Sequence, residues 1–157
     1  QTVARPVSYR IDAEVVESLE ADSIPTGGLE PFVGREFRNA LRLQARLEKR
    51  AGLTDEQARA VVRRAEVMPI AVDLARINLL VDADWLALDQ VRALRSLAGR
   101  RFEHPWQFRR ALERASPLWR LREETPLNRD WNREVREKMA HLEEVFRVEA
   151  PGADDEP

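Results

Sequence analysis

One stretch of the chain combines residues that neutralise phosphate with residues that stack on bases. Residues 92–122 carry nine arginines against two acidic residues, and four aromatic side chains lie among them. The aromatic residues are Phe102, Trp106, Phe108 and Trp119. Arginine side chains pair with phosphate oxygens, and exposed aromatic rings stack on the bases of a single strand. This composition predicts binding of RNA or single-stranded nucleic acid.

The same block has a second interpretation, because aromatic residues at helical spacing usually belong to a protein core. Its arginines would then pair with acidic flanks: residues 67–91 hold four acidic residues against one basic residue, and 123–157 hold eleven against five. The acidic surface of a partner protein would explain these alternating blocks equally well. The net charge of −2 does not separate the two interpretations.

Carboxylates and a histidine recur at helical spacing near the end of the chain. Glu134, Glu137, His141 and Glu144 stand at positions i, i+3, i+7 and i+10. Helical bundles bind metal ions with such side chains, but they need matching ligands from other helices. Because the sequence offers no matching set and no cysteine, we expect a solvent-exposed helix face, no metal site and no cofactor.

Patterns typical of catalysis are absent or open to chance. The sequence lacks the HExxH, GxSxG, GxxxxGK[ST] and GxGxxG motifs. Arg136 and His141 have the R-x4-H spacing and so resemble the cleavage pair of HEPN-family ribonucleases, which would imply RNA cleavage across a dimer. An arginine-rich chain produces this spacing by chance. We therefore expect a non-enzymatic protein, and we assign no catalytic residue.

Hydrophobic periodicity predicts a mainly α-helical protein with one short N-terminal strand. Apolar and polar residues alternate over 7–11, as in a half-buried strand, and Asp12 can then cap a short helix. Thr54 and Gln57 have the spacing of a capping box at the start of another helix. A long helix is predicted over 32–51, with Leu41 and Leu47 on its buried face. The opposite face carries a stripe of cations formed by Arg35, Arg38, Arg42, Arg46 and Lys49.

Two further apolar patterns complete the predicted fold. Residues 70–81 are mostly apolar and predict a central, largely buried helix. The last helix has apolar residues at steps of four, four, three and four, namely Trp131, Val135, Met139, Leu142 and Phe146. We divide the chain into a strand and two helices over 1–52, a helical bundle over 53–148 and an acidic disordered tail over 149–157.

Residues 6–50 resemble a ribbon-helix-helix DNA-binding domain in the order of their elements. The strand PVSYRID precedes the short helix AEVVESLEA, a glycine-containing loop and the helix EFRNALRLQARLEKR. The resemblance implies that two chains pair their strands into a ribbon that enters the major groove. It further implies that Ser8 and Arg10 read bases, while the segment near Gly34 and Arg35 meets a phosphate.

These patterns predict a non-enzymatic nucleic-acid-associated protein, either a regulator or a small subunit of a nucleoprotein complex. The expected primary contacts are Arg95, Arg100, Arg101, Arg109 and Arg110, and the stripe from Arg35 to Arg46 comes second. The alternative is a helical assembly subunit without nucleic acid, whose basic blocks dock on acidic surfaces of a protein partner or of a second copy. No apolar run has the length of a membrane span, and the lack of cysteine and of a leader sequence predicts a cytoplasmic protein.

Overall fold

A computed structural model describes residues 8–81 and 84–148 of the chain. Within these residues, seven α-helices and five strands of two or three residues confirm the predicted mainly α-helical fold. The chain divides between Met68 and Pro69 into two compact units. We call described residues 8–68 the N-terminal unit, and we call 69–81 together with 84–148 the C-terminal unit. The tail predicted over 149–157 lies outside the described residues.

A three-stranded sheet lies at the start of the N-terminal unit, with strand order β2-β1-β3. Its strands are β1 (Ser8–Arg10), β2 (Glu36–Phe37) and β3 (Glu66–Val67). Tyr9 lies opposite Phe37 on one side and opposite Glu66 on the other, and both pairings are antiparallel. The short N-terminal strand is therefore the central strand of the sheet.

Three helices complete the N-terminal unit: α1 (Ala13–Ala21), α2 (Ala40–Arg50) and α3 (Asp55–Ala65). Each begins after a side chain that accepts a hydrogen bond from an unpaired backbone N–H of the first turn. Asp12 and Asn39 accept from the N–H three residues later, at 3.0 and 2.9 Å. Thr54 and Gln57 form the predicted capping box, with both hydrogen bonds present. Short polar residues therefore fix where each helix begins.

The second helix is shorter than the helix predicted over 32–51. Residues Glu30–Phe32 form one 3-10 turn, and Glu36–Phe37 pairs with β1 instead of continuing a helix. The helix begins only after the Asn39 cap. As a result, Arg35 and Arg38 precede α2, whereas Arg42 and Arg46 lie on it.

The division between the units falls after Met68 and not after residue 52, because α3 packs on α2. The amide of Gln44 on α2 donates to the carboxylate of Asp55 at the start of α3, at 2.6 Å. Gly52, which joins the two helices, has the positive φ of 71° expected of a residue that ends a helix.

The C-terminal unit surrounds one hydrophobic core. Its elements are β4 (Ile70–Ala71), α4 (Leu74–Val81), α5 (Leu88–Ser96), β5 (Arg101–Phe102), α6 (Pro105–Ala115) and α7 (Arg129–Val145). β4 and β5 pair in antiparallel orientation. Along the predicted apolar stripe of α7, Val135, Met139, Leu142 and Phe146 are buried, and Trp131 packs against the same core.

The segment predicted as a central buried helix over 70–81 is only partly helical and only partly buried. Ile70–Ala71 is a strand, and α4 begins at Leu74. Ile77 and Leu80 enter the core, but Leu79 is 72% exposed. Among the described residues, no helix has both the length and the apolar composition that a bilayer crossing requires.

Candidate nucleic-acid interface

Ser8 and Arg10, the two residues expected to read bases from the strand, lie in the centre of the sheet. Ser8 is 2% exposed and lies opposite Val67. Arg10 is half-buried, and its guanidinium Nε is 3.8 Å from the Asp12 carboxylate. The implied base contact through Ser8 does not fit this arrangement, because the Ser8 hydroxyl is shielded from solvent by its own chain. The ribbon-helix-helix resemblance itself stays a prediction, and a ribbon between two chains would require β1 to release one neighbour.

Among the predicted primary contacts, Arg109 has a carboxylate partner inside its own unit. Its Nε and Nη2 donate to the two carboxylate oxygens of Glu143, the second bond being 3.0 Å long. Glu143 is buried on α7, so this bidentate pair lies partly out of water. Binding of a phosphate by Arg109 would leave a buried carboxylate without its charge partner, which is costly.

The other members of that group have different surroundings. Arg101 lies 3.6 Å from the Glu103 carboxylate, Arg100 lies 4.9 Å from the centre of the Phe102 ring, and Arg110 lies 5.1 Å from that of Trp106. Arg95 is exposed on the last turn of α5. The five arginines therefore do not form a single set of free cations.

Most aromatic residues of the 92–122 block belong to the core. Phe102, Phe108 and Trp119 are buried, and the Trp119 indole N–H donates to the Gln90 carbonyl at 3.1 Å. Trp106 is half-buried, and its ring stacks on that of His104 with a centroid distance of 6.3 Å. Base stacking over this block would therefore have only the partly exposed Trp106 available to it.

The α2 region offers cations in a different state. We define the basic strip as Arg38, Arg42, Arg46 and Lys49, which follow one another at steps of four, four and three. All four are exposed, and within the described residues none forms an ion pair. Arg35, which precedes the strip, lies 5.5 Å from the centre of the Phe37 ring. The strip is thus a row of cations open to an anionic partner.

Helix geometry separates the basic strip from the acidic residues nearby. At about 100° per residue, Arg42, Arg46 and Lys49 lie within roughly 60° of one another around the axis of α2. The single acidic residue of α2, Glu48, lies on the other edge of the exposed face, where it accepts a hydrogen bond from Gln44 at 3.3 Å. Gln44 also donates to Asp55 of α3. The carboxylates therefore gather on the α3 side of the helix, away from the strip.

The histidine and carboxylate cluster of α7 borders a shallow groove of about 360 Å³. The groove is lined by Trp85, Glu134, Glu137, Lys138 and His141. The rings of Trp85 and His141 meet edge to face at 5.0 Å, and Lys138 pairs with Glu134 at 3.2 Å. Within residues 8–81 and 84–148, no group of three histidine or carboxylate side chains could hold a metal ion.

The two residues with ribonuclease-like spacing lie on α7 in different environments. Arg136 pairs with Glu124 at 2.7 Å, and the His141 ring contacts Trp85. A phosphate would have to compete with the Glu124 carboxylate for this arginine, at the small cost of breaking an exposed ion pair. The expectation that this protein is non-enzymatic stays a prediction.

Leu41 is the feature of α2 that sequence reasoning missed. It was predicted on the buried face, yet it is 77% exposed, whereas Leu43 and Leu47 are fully buried. The buried face of α2 is formed by Leu43 and Leu47, which have i, i+4 spacing, and Leu41 lies more than about 100° away from both around the helix axis. That spacing was the available signal, and it places Leu41 on the outer surface, about 20° from Glu48 and about 80° from Lys49 around the helix axis.

No protein-family model, no curated protein and no solved structure matches this chain. The functional conclusion consequently depends on the geometry of the chain itself.

Proposed function

We propose that this protein is a non-enzymatic, cytoplasmic nucleic-acid-associated protein whose main contact surface is the basic strip. The observation that carries the proposal is a row of four exposed cations without an acidic partner among the described residues. Such cations neutralise phosphates and release condensed counterions, which supplies most of non-specific binding free energy. A cation already in an ion pair would first have to break that pair.

The proposal reverses the order of the residues expected from the sequence. The basic strip, which the sequence analysis ranked second, becomes the main contact surface, and Arg35 precedes it in the chain. Arg95 and Arg100 stay as additional candidates because both are exposed and, unlike Arg101, neither forms an ion pair with a described residue. Arg109 is removed from the set because two of its nitrogen atoms donate hydrogen bonds to the Glu143 carboxylate.

The test is a salt titration of binding to labelled duplex DNA, single-stranded DNA and single-stranded RNA. For duplex DNA, log K falls by about 0.9 per phosphate contact for each log unit of salt. The variant R38A/R42A/R46A should therefore lower this slope by about 2.7. The matched control is R92A/R133A/R136A, which removes the same charge from exposed arginines that are already paired with acidic residues. The control should keep the original slope.

Two results would overturn the proposal. One is the absence of binding to any of the three nucleic acids at low salt. The other is an equal loss of slope in both triple variants, because binding would then depend on total charge and not on the strip.

A second candidate function is an assembly subunit that docks on another protein or on a second copy. The specific observation in its favour is that three leucines of the C-terminal unit, Leu74, Leu79 and Leu88, are 52%, 72% and 64% exposed. Its basic strip would then contact an acidic protein surface. A competition experiment separates the two functions. Polyglutamate should displace labelled duplex DNA poorly if nucleic acid is the ligand. If an acidic protein is the ligand, polyglutamate should displace the labelled DNA as well as unlabelled DNA of the same total charge does.

A further inference from the structure

The outermost line of α2 is apolar, although its flank is basic. Leu41 is 77% exposed and Ala45 is exposed, while Leu43 and Leu47 on the opposite side are fully buried. Around the helix axis, Leu41 and Ala45 lie between Glu48 on one edge and the basic strip on the other, as the spacing of about 100° per residue dictates. A ligand that approaches α2 from outside therefore meets a methyl-rich line first and cations beside it.

The shape of this surface suits a groove better than a single strand. α2 has eleven residues and so is about 16 Å long, with cations along one edge. Single strands are bound by exposed aromatic rings. Within residues 8–68 the aromatic residues Tyr9, Phe32 and Phe37 are buried or half-buried. A stacking surface is thus lacking among the described residues of this unit.

The dimensions of the major groove favour duplex DNA over duplex RNA as the ligand. The major groove of B-form DNA admits an α-helix, and thymine presents a methyl group there. The major groove of A-form RNA is deep and too narrow for side chains to read. Charge complementarity sets the orientation of the helix, with the basic strip toward one phosphate backbone and Glu48 away from it.

We propose that α2 enters the major groove of duplex DNA and that Leu41 contacts the methyl group of thymine. This inference rests on the proposed function, and it names duplex DNA as the ligand and Leu41 as the residue that favours A·T pairs. Removal of one buried methyl group from an apolar contact weakens binding about fourfold. The basic strip would supply sequence-independent affinity, and Leu41 would add the preference for thymine.

The experiment compares two duplexes that differ only in that methyl group: an alternating dA·dT duplex and the same duplex with deoxyuridine in place of thymine. The full chain should bind the thymine duplex about four times more tightly. L41A should bring the ratio close to one while the salt dependence stays unchanged. L79A, which shortens a leucine that is 72% exposed in the C-terminal unit, should keep the fourfold ratio.

The outcomes separate this inference from the proposed function. Equal binding of the two duplexes, with a salt slope that still depends on the strip, overturns the role of Leu41 and leaves the proposed function standing. Binding of an A·U RNA duplex as tight as that of the thymine duplex overturns the placement in the major groove of B-form DNA. If the protein binds no duplex at low salt, this inference is overturned, and so is the assignment of duplex DNA as the ligand of the basic strip. A ratio near four that L41A abolishes supports the inference.

Discussion

The helices α2 and α7 are both rich in arginine, but their arginines meet opposite surroundings. On α7, Arg133 lies 3.1 Å from Asp130 and Arg136 lies 2.7 Å from Glu124. On α2, Arg42 and Arg46 are exposed and form no ion pair with any described residue. The number of arginines in a segment therefore says little about how many of them are available to a ligand.

The difference arises from where the acidic residues fall. On α7, Asp130 stands three residues before Arg133, a spacing that brings the two side chains to the same face. Glu48, the acidic residue of α2, lies on the far edge of the exposed face and is bound by Gln44. Spacing and neighbours thus decide which basic block is neutralised inside the protein and which is left for an external anion.

The largest expected difference in the free energy of unfolding is between substitutions on the two opposite faces of α2. Leu47→Ala removes a fully buried side chain and should lower the free energy of unfolding by about 3 kcal/mol, through lost burial and the cavity that remains. Leu41→Ala should change it by less than about 0.5 kcal/mol, because Leu41 is exposed. Urea denaturation of both variants measures the contrast. Similar losses in the two variants would contradict the assignment of the outer face.

Removal of the acidic partners in the C-terminal unit should have the next largest effect. Glu143→Gln should cost about 2 kcal/mol, because it takes a charged and partly buried acceptor away from Arg109. Glu124→Gln breaks the exposed pair with Arg136 and should cost less than about 1 kcal/mol. Thermal unfolding at low and high salt compares them. Equal costs would show that burial does not distinguish these two ion pairs.

A third contrast concerns the loop that packs against the end of α2. A Cβ atom at Gly28 would lie 2.8 Å from Ala51 Cα and 2.9 Å from Ala51 O, whereas one at Gly27 would meet nothing within 4 Å. Gly28→Ala should therefore cost about 1–2 kcal/mol, and Gly27→Ala should be nearly neutral. Denaturant midpoints of the two variants provide the measurement. A neutral Gly28→Ala would mean that the loop is not fixed against α2.

The smallest effect is a pH dependence confined to the N-terminal unit. Burial first, and the Glu66 carboxylate second, raise the pKa of the Tyr9 phenol above its ordinary value of 10.0. The folded state then keeps the phenolic proton at a pH where the unfolded state has lost it. Stability from this group is therefore fully present below pH 10 and is lost as the pH rises through the folded pKa.

The chain contains one tyrosine, so its ionisation can be followed by tyrosinate absorbance without overlap. The midpoint should lie above 10.0 in the folded protein and near 10 in denaturant. Tyr9→Phe should remove the absorbance change and the corresponding loss of stability. A folded midpoint at or below the ordinary value would contradict the burial of Tyr9 between its neighbouring strands.

Local signals in the sequence predicted the features that short segments specify. The Asp12 cap, the Thr54–Gln57 capping box and the apolar stripe of α7 are all present, because each depends on residues within about one to four turns of a helix. The start of α2 was harder to predict, although Asn39 is a local cap signal for it. The residues before Asn39 stay out of the helix because Glu36–Phe37 pairs with β1, a contact between segments far apart in the chain.

Local sequence patterns also could not predict which residues of the candidate site are open to a ligand. Arg109 and Arg42 are the same residue type in the sequence. Glu143 on another helix forms an ion pair with Arg109, whereas no described residue forms an ion pair with Arg42. Ser8 alternates with apolar residues like a solvent-facing strand position, yet it is buried, because other parts of the chain pack over it. Ion pairs and packing contacts join residues that are distant in sequence, so hydrophobic periodicity does not predict them.

The sequence by itself determined that this protein is mainly α-helical, where several of its helices begin, and that its charge is arranged in alternating blocks. These properties follow from backbone capping and hydrophobic period, which act over a few residues. The tertiary structure decided that three aromatic residues of the 92–122 block are core, that Arg109 is neutralised and that Leu41 and the basic strip face outward. The physical reason is that burial and ion pairing are set by which segments pack together, and packing joins elements that the chain keeps far apart.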